Sequence, residues 1–170
     1  MNATTQEKPD KRRTPPNSGH KTNFRLREAG FVPPFNAVTA VSTIAFTADG
    51  HIVAAEENRG PDLPGGHVQE GENSAEETAR READEEAGIE LGAVTLLRAI
   101  ESDRYGSAPE ELTYMLIVTA LVTREGPVPP GMCKHIMTVE EFKQQHRGLR
   151  KEMICELVDL AFAVHFPDGL

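Results

Sequence analysis

LPGGHVQEGENSAEETARREADEEAGI, residues 63–89, joins a glycine-rich stretch to a strongly acidic segment with helical spacing. Ser74 and Glu77 have the spacing of a capping box, in which a side-chain oxygen accepts from a first-turn amide and a glutamate reaches back. Gly88 stands where a helix C-cap needs a residue free to take positive φ. These marks predict a helix from about Ala75 to Ala87. On it Glu82, Glu85 and Glu86 fall at i, i+3 and i+4, so their carboxylates project from neighbouring positions on one face. Like charges so close repel one another. A cluster of carboxylate oxygens suits a hard cation such as Mg²⁺ or Mn²⁺, which offsets that repulsion. An acidic helix face turned to solvent is the plainer explanation of the same residues. The two differ in whether the chain folds back to bring the Gly65-Gly66 turn against the carboxylates, which glycine's backbone freedom allows.

Upstream, AVTAVSTIAFT (37–47), then Asp49-Gly50, then Ile52-Val53-Ala54 read as a β-hairpin closed by a tight turn. Downstream, Val94–Ile100 and Leu112–Val122 are strand candidates. The second, LTYMLIVTALV, is apolar enough for the centre of a sheet. Met132–Met137 reads as a further strand. Thr138 and Glu141 form another capping-box pair that starts a short helix. Residues 151–164, KEMICELVDLAFAV, place Met153, Ile154, Leu157, Val158, Leu160 and Ala161 on one packing face. The order of strands, helix, strands and C-terminal helices implies an α/β fold, a mixed sheet with helices packed on it.

At 170 residues the chain suits one domain. Residues 1–30 are rich in Lys, Arg, Pro, Asn, Thr and Ser without apolar periodicity. They read as a flexible basic tail, with the folded part starting near Phe31. No apolar run approaches the roughly 20 residues of a membrane-spanning helix, and nothing behind the basic N-terminus resembles the apolar core of a secretory signal. Cys133 and Cys155 lack the spacing of a zinc or redox motif, so free thiols and a cytoplasmic location are expected. The formal charge of −9 divides into +4 over residues 1–28 and −13 over 29–170. An acidic body argues against a general nucleic-acid binder, which needs a basic surface. A small-molecule partner is expected, with no nucleic acid and no membrane; a homodimer is compatible with the sequence.

The segment from Gly66 to Ile89 resembles the Nudix box: G, five residues, E, seven residues, R-E, an aliphatic residue, any residue, E-E, any residue, G, and an aliphatic residue. Gly66 and Glu72 keep the first spacing, and Arg81-Glu82-Ala83-Asp84-Glu85-Glu86-Ala87-Gly88-Ile89 reproduces the second half. Eight residues, Asn73 to Arg80, stand where the family has seven. Taking Arg80 as the motif arginine restores the spacing but sets Arg81 where a glutamate belongs, so an extra residue near Asn73 is the better alignment. Ala83 is small for its aliphatic slot.

The resemblance implies a Nudix-like α/β/α sandwich with a mixed β-sheet over residues 31–170, and a pyrophosphohydrolase acting on phosphorus-containing anhydrides. The expected substrate is a nucleoside diphosphate linked to another moiety. Glu82, Glu85 and Glu86 are implied as catalytic residues and, with the Gly66 carbonyl, as ligands of Mg²⁺ or Mn²⁺. A Glu72–Arg81 ion pair is implied as well, with Arg81 structural. The general base is open: a box glutamate, or Glu101, Glu110 or Glu111 outside it. Tyr105, sixteen residues beyond Ile89, has a placing that resembles the dinucleoside-polyphosphate hydrolase branch, which makes it a candidate substrate contact. The competing reading is a catalytically inactive Nudix-like nucleotide-binding sensor.

Overall fold

The computed structural model describes residues 23–103, 111–148 and 150–170. A mixed sheet runs β1 (Phe24–Leu26), β7 (Thr95–Ser102), β8 (Thr113–Glu125), β2 (Val38–Phe46), β3 (Ile52–Glu57) and β4 (Gly60–Asp62). Three short strands join its flanks. β5 (Gly65–His67) pairs with β2, β6 (Ile89–Leu91) with β8, and β9 (Lys134–Met137) with β3. β2 and β8 run parallel from Val38↔Tyr114 to Phe46↔Leu121, while the other pairs are antiparallel.

β8 carries an almost unbroken apolar run because both of its faces are covered. Leu116, Val118 and Ala120 join the core beneath α1 (Ala75–Ala87), and Ile117 joins the core beneath α2 (Val139–Gln145) and α3 (Lys151–His165). β2 divides the same way by strand alternation, with Val41 and Ala45 on the α1 side and Ile44 and Phe46 on the other. The α/β/α sandwich follows from these two cores. α1 meets the sheet through Ala79, Ala83 and Ala87, all fully buried. That close approach explains why the aliphatic slot of the box holds only alanine.

The helix ends follow their sequence marks. Ser74 accepts from the Glu77 amide, and Gly88 takes φ 60°, ψ 41°. The reciprocal half of the first capping box is absent, because the Glu77 carboxylate accepts from the Asn73 amide instead. At α2 the box is complete, with Thr138 and Glu141 bonded both ways; such a cap is worth about 1 kcal/mol.

Two expectations need correction. The sheet begins before Phe31: Phe24–Leu26 pairs with Ser102–Ile100, and Phe24 and Leu26 pack on the core. Three residues in a polar context carry too little pattern to be seen as a strand. Gly65-Gly66 is also not a turn but part of β5, paired with Ser42 and Val41. Among the described residues no helix is long and apolar enough to cross a membrane, and both cysteines are free.

Candidate active site

The two glycines let β5 lie between β2 and α1. A Cβ on Gly65 would stand 2.5 Å from the Val41 carbonyl oxygen, and one on Gly66 would stand 2.3 Å from Glu82 Oε1. Only glycine fits at 65, where the obstacle is backbone, whereas a side chain at 66 would displace the Glu82 carboxylate. The Gly65 amide donates to Glu86 Oε2 at 2.9 Å, which fastens the strand to the last turns of α1.

Arg81 organises the other carboxylates. Its Nε donates to Glu72 Oε1 at 2.7 Å, its Nη1 to Glu82 Oε1 at 2.6 Å and Glu85 Oε2 at 3.1 Å, and its Nη2 to the His67 carbonyl at 3.0 Å. Glu72 also accepts from the Gln69 amide and the Thr78 hydroxyl. The Glu72–Arg81 pair therefore forms across the longer loop, whose turn places Gly71 at φ 94°. Arg80 points elsewhere, to the Leu91 and Gly92 carbonyls and to Glu76. The alignment that makes Arg81 the box arginine is the one the side chains follow.

The electrostatics divide the acidic residues. Burial works against the charge of Arg81, yet its hydrogen bonds to Glu72 and Glu82 outweigh that and hold its pKa above the ordinary arginine value. Burial likewise opposes ionisation of Glu72, but Arg81, the Gln69 amide and Thr78 bring its pKa below the usual carboxylate value. Among the described residues no cation is paired with Glu86. Burial pushes its carboxyl up to about 7, and the charges of Glu82, Glu57 and Asp62 add to the shift against the Gly65 hydrogen bond. Glu57 and Asp62, from β3 and β4, were not singled out by the sequence, since neither belongs to a helical or motif spacing. Among the described residues, no three Asp, Glu, His or Cys side chains are already gathered as a cation cage.

A raised carboxyl pKa has a stability consequence. In the metal-free protein between pH 4.5 and about 7 the folded state holds the Glu86 proton more tightly than the unfolded chain does, so stability falls as pH rises through that window. Metal-free Tm measured from pH 5 to pH 8 is expected to decline by a few degrees from this source, and Glu86→Gln is expected to remove that part of the decline. An unchanged pH profile in the variant would show that Glu86 is not the group responsible.

The candidates outside the box fare differently. Glu101 accepts from Arg27 Nη1 at 2.7 Å and Tyr114 Oη at 3.3 Å, so it serves to hold β1 and β8. Glu111 is exposed. Tyr105 and Glu110 lie outside the described residues. A cleft of about 490 Å³ opens beside β5, bounded by Ser42, Asp62, Gly65, Gly66, Met115 and His146 among others. Arg59 lines it as well, the one arginine or lysine among its described lining residues.

Comparison with known proteins agrees with this fold. The comparison with curated proteins found no match. Among solved structures, the chain is similar to a pyrophosphohydrolase of Bacillus subtilis at 21% identity and TM-score 0.50, covering 67% of this chain and 70% of that one. It is similar to MutT of Aliivibrio salmonicida and Vibrio cholerae at 17% identity and TM-score 0.54, covering 70% and 92%. The NUDIX domain of Shewanella oneidensis NrtR, solved with ADP-ribose, matches at 14% identity and TM-score 0.55, covering 72% and 86%. At these identities the likeness is one of fold. The family model for the NUDIX domain matches residues 37–157, most of the chain, and so the protein belongs to the Nudix family.

Proposed function

We propose that the protein is a metal-dependent hydrolase that cleaves a phosphoanhydride bond in a nucleoside diphosphate linked to another moiety. The observation that carries this reading is Glu86. It is half-buried, is paired with no cation among the described residues, is held to Gly65, and is crowded by Glu82, Glu57 and Asp62. Uncompensated negative charge of this kind suits a cation. The donors are all oxygens, and the Gly66 backbone lies against Glu82, so the residues fit a hard ion such as Mg²⁺ or Mn²⁺.

Glu82, Glu85 and Glu86 would hold it, with the Gly66 carbonyl beside them. The bound ion supplies charge neutralisation of the phosphates and a more acidic water. The chain's own part is to orient. Gly65 fixes the Glu86 carboxylate. Arg81 sets Glu82 and Glu85 along the helix face and must share them when the ion is present. Glu72 holds Arg81 in place from the opposite side. Glu86, whose carboxyl burial and the neighbouring carboxylates hold well above the usual range in the metal-free site, would give up its proton as the ion binds. Cytoplasmic location and a nucleotide partner belong to the same reading.

A panel of nucleoside triphosphates, nucleotide sugars, ADP-ribose and dinucleoside polyphosphates, incubated with Mg²⁺ and assayed for released phosphate or nucleotide, tests it. Cleavage of at least one nucleoside-linked anhydride is expected. A dinucleoside polyphosphate preference weakened by Tyr105→Ala would support a substrate contact at Tyr105. Binding in calorimetry without cleavage of any compound would favour the sensor instead.

A further inference from the structure

Phe24 on β1 is half-buried opposite its pairing partner Ser102, and it helps to wall the cleft that opens at Gly65 and Gly66. The guanidinium of Arg150 lies over its ring, with Cζ 4.8 Å from the centroid, a cation–π contact. Arg150 stands at the N-cap of α3 with φ 60° and ψ 47°, a left-handed backbone that is unfavourable for a residue with a Cβ. The Ile154 amide donates to the Arg150 carbonyl at 3.1 Å. One turn of α3 thus sets Arg150 on Phe24 and Ile154 in the wall of the cleft. Arg150 is not among the described lining residues, so it holds the ring from outside the cleft.

The cleft has two unlike ends. At one are Gly65 and Gly66, backed by Glu86 and Glu82, together with Arg59 and Asp62 from the β3–β4 hairpin. At the other, Phe24, Ile100, Met115 and Ile154 make an apolar wall, and no described lining residue there is charged. Strands β2, β8 and β7 lie in order between β5 and β1 and separate the two ends. A nucleotide is divided in the same way, with charged phosphates at one end and a flat, uncharged ring at the other.

We propose that the nucleobase of the substrate stacks on Phe24, whose ring Arg150 holds in place. The proposal rests on reading the cleft as a nucleotide site. Stacking depends on flat faces rather than on particular hydrogen bonds, so the contact favours a nucleotide over a bare sugar phosphate without choosing one base. A ring already fixed by its packing and by a cation loses little freedom when the base arrives. β1 lies outside residues 37–157, so Phe24 is not part of the matched domain.

Calorimetric binding of AMP, GMP, CMP, UMP and ribose 5-phosphate to the full chain with Mg²⁺ tests this, because ribose 5-phosphate lacks the base. At least one of the four nucleotides is expected to bind about tenfold more tightly than ribose 5-phosphate, or better. Phe24→Leu keeps an apolar side chain but no flat face. It is expected to bring that ratio below about threefold while ribose 5-phosphate binds as before. A role of Phe24 in the fold alone would instead lower Tm and leave the ratio as it was. The chain has no tryptophan, so Phe24→Trp sets a single fluorophore at the contact. The nucleotides that bind are expected to quench its emission, and ribose 5-phosphate at equal occupancy is not. Should Phe24→Leu fail to fold, the tryptophan variant decides alone. Equal binding of all five compounds, absence of binding, a ratio that survives Phe24→Leu, or tryptophan emission indifferent to the base overturns the proposal. Cleavage of an anhydride with binding indifferent to the base would overturn this proposal alone, and base-dependent binding without any cleavage would overturn the hydrolase reading alone.

Discussion

Glu86→Gln is expected to lower kcat about a thousandfold, equivalent to about 4 kcal/mol of transition-state stabilisation, while leaving the protein folded. Glutamine keeps a carbonyl oxygen that can accept from the Gly65 amide, so the link between β5 and α1 need not be lost. What it removes is the negative charge. In the proposed site that charge holds the ion against the phosphates, a contribution of several kcal/mol in metal-assisted hydrolysis. Glutamine also relieves the repulsion from Glu82, Glu57 and Asp62, so the metal-free variant should be no less stable above neutral pH. Steady-state rates on whichever anhydride the panel identifies, together with Tm, check both parts. A rate within threefold of wild type would remove Glu86 from the mechanism.

Arg81→Ala is expected to act on stability instead, costing about 3 kcal/mol, the lower end for breaking a buried ion pair by removing one partner. The Arg81, Glu72 and Glu82 side chains are 18%, 12% and 10% exposed, so the two carboxylates would be left with little water to compensate them. The His67 carbonyl loses a donor in the same step. Arg81→Lys should recover part of the loss, since an ammonium restores the charge but not the planar fork that reaches several acceptors together. Urea unfolding of the three proteins measures this. A loss under 1 kcal/mol for alanine would mean that the network is hydrated and only decorates the surface.

The parts of the fold that were legible in the sequence are those with strong periodicity or strong punctuation. α1 was bounded by Ser74 and Gly88, and its observed limits, Ala75–Ala87, agree. The hairpin around Asp49-Gly50 and the central apolar strand are found where β-branched runs placed them. β1 was not legible, because Phe24–Leu26 gains its order from pairing with β7 and from packing that no local pattern encodes. The role of Gly65 and Gly66 is ambiguous in the sequence for a related reason. Glycine marks either a turn or a close backbone approach, and only the positions of Val41 and Glu82 decide between them.

The site was legible in its helical part and not beyond it. Glu82, Glu85 and Glu86 share a face because helical geometry requires it, but the sequence gives no sign that Arg81 draws two of them together while Glu86 turns to Gly65. The long-range neighbours, Glu57 and Asp62, come from strands some twenty to thirty residues away. His146 shows the same limit. In sequence it is one histidine after a short helix; in the fold it is buried against Pro61 and Asp62.

The central claim is that anhydride cleavage by this chain depends on a divalent ion held by α1. Initial rates on a cleaved panel substrate, measured with Mg²⁺, then in excess chelator, then with Mg²⁺ restored above the chelator, test it most directly. The account predicts that at least 99% of the activity is lost with the chelator and regained with the ion, in line with the energy a metal contributes to such reactions. Full turnover in excess chelator would contradict it.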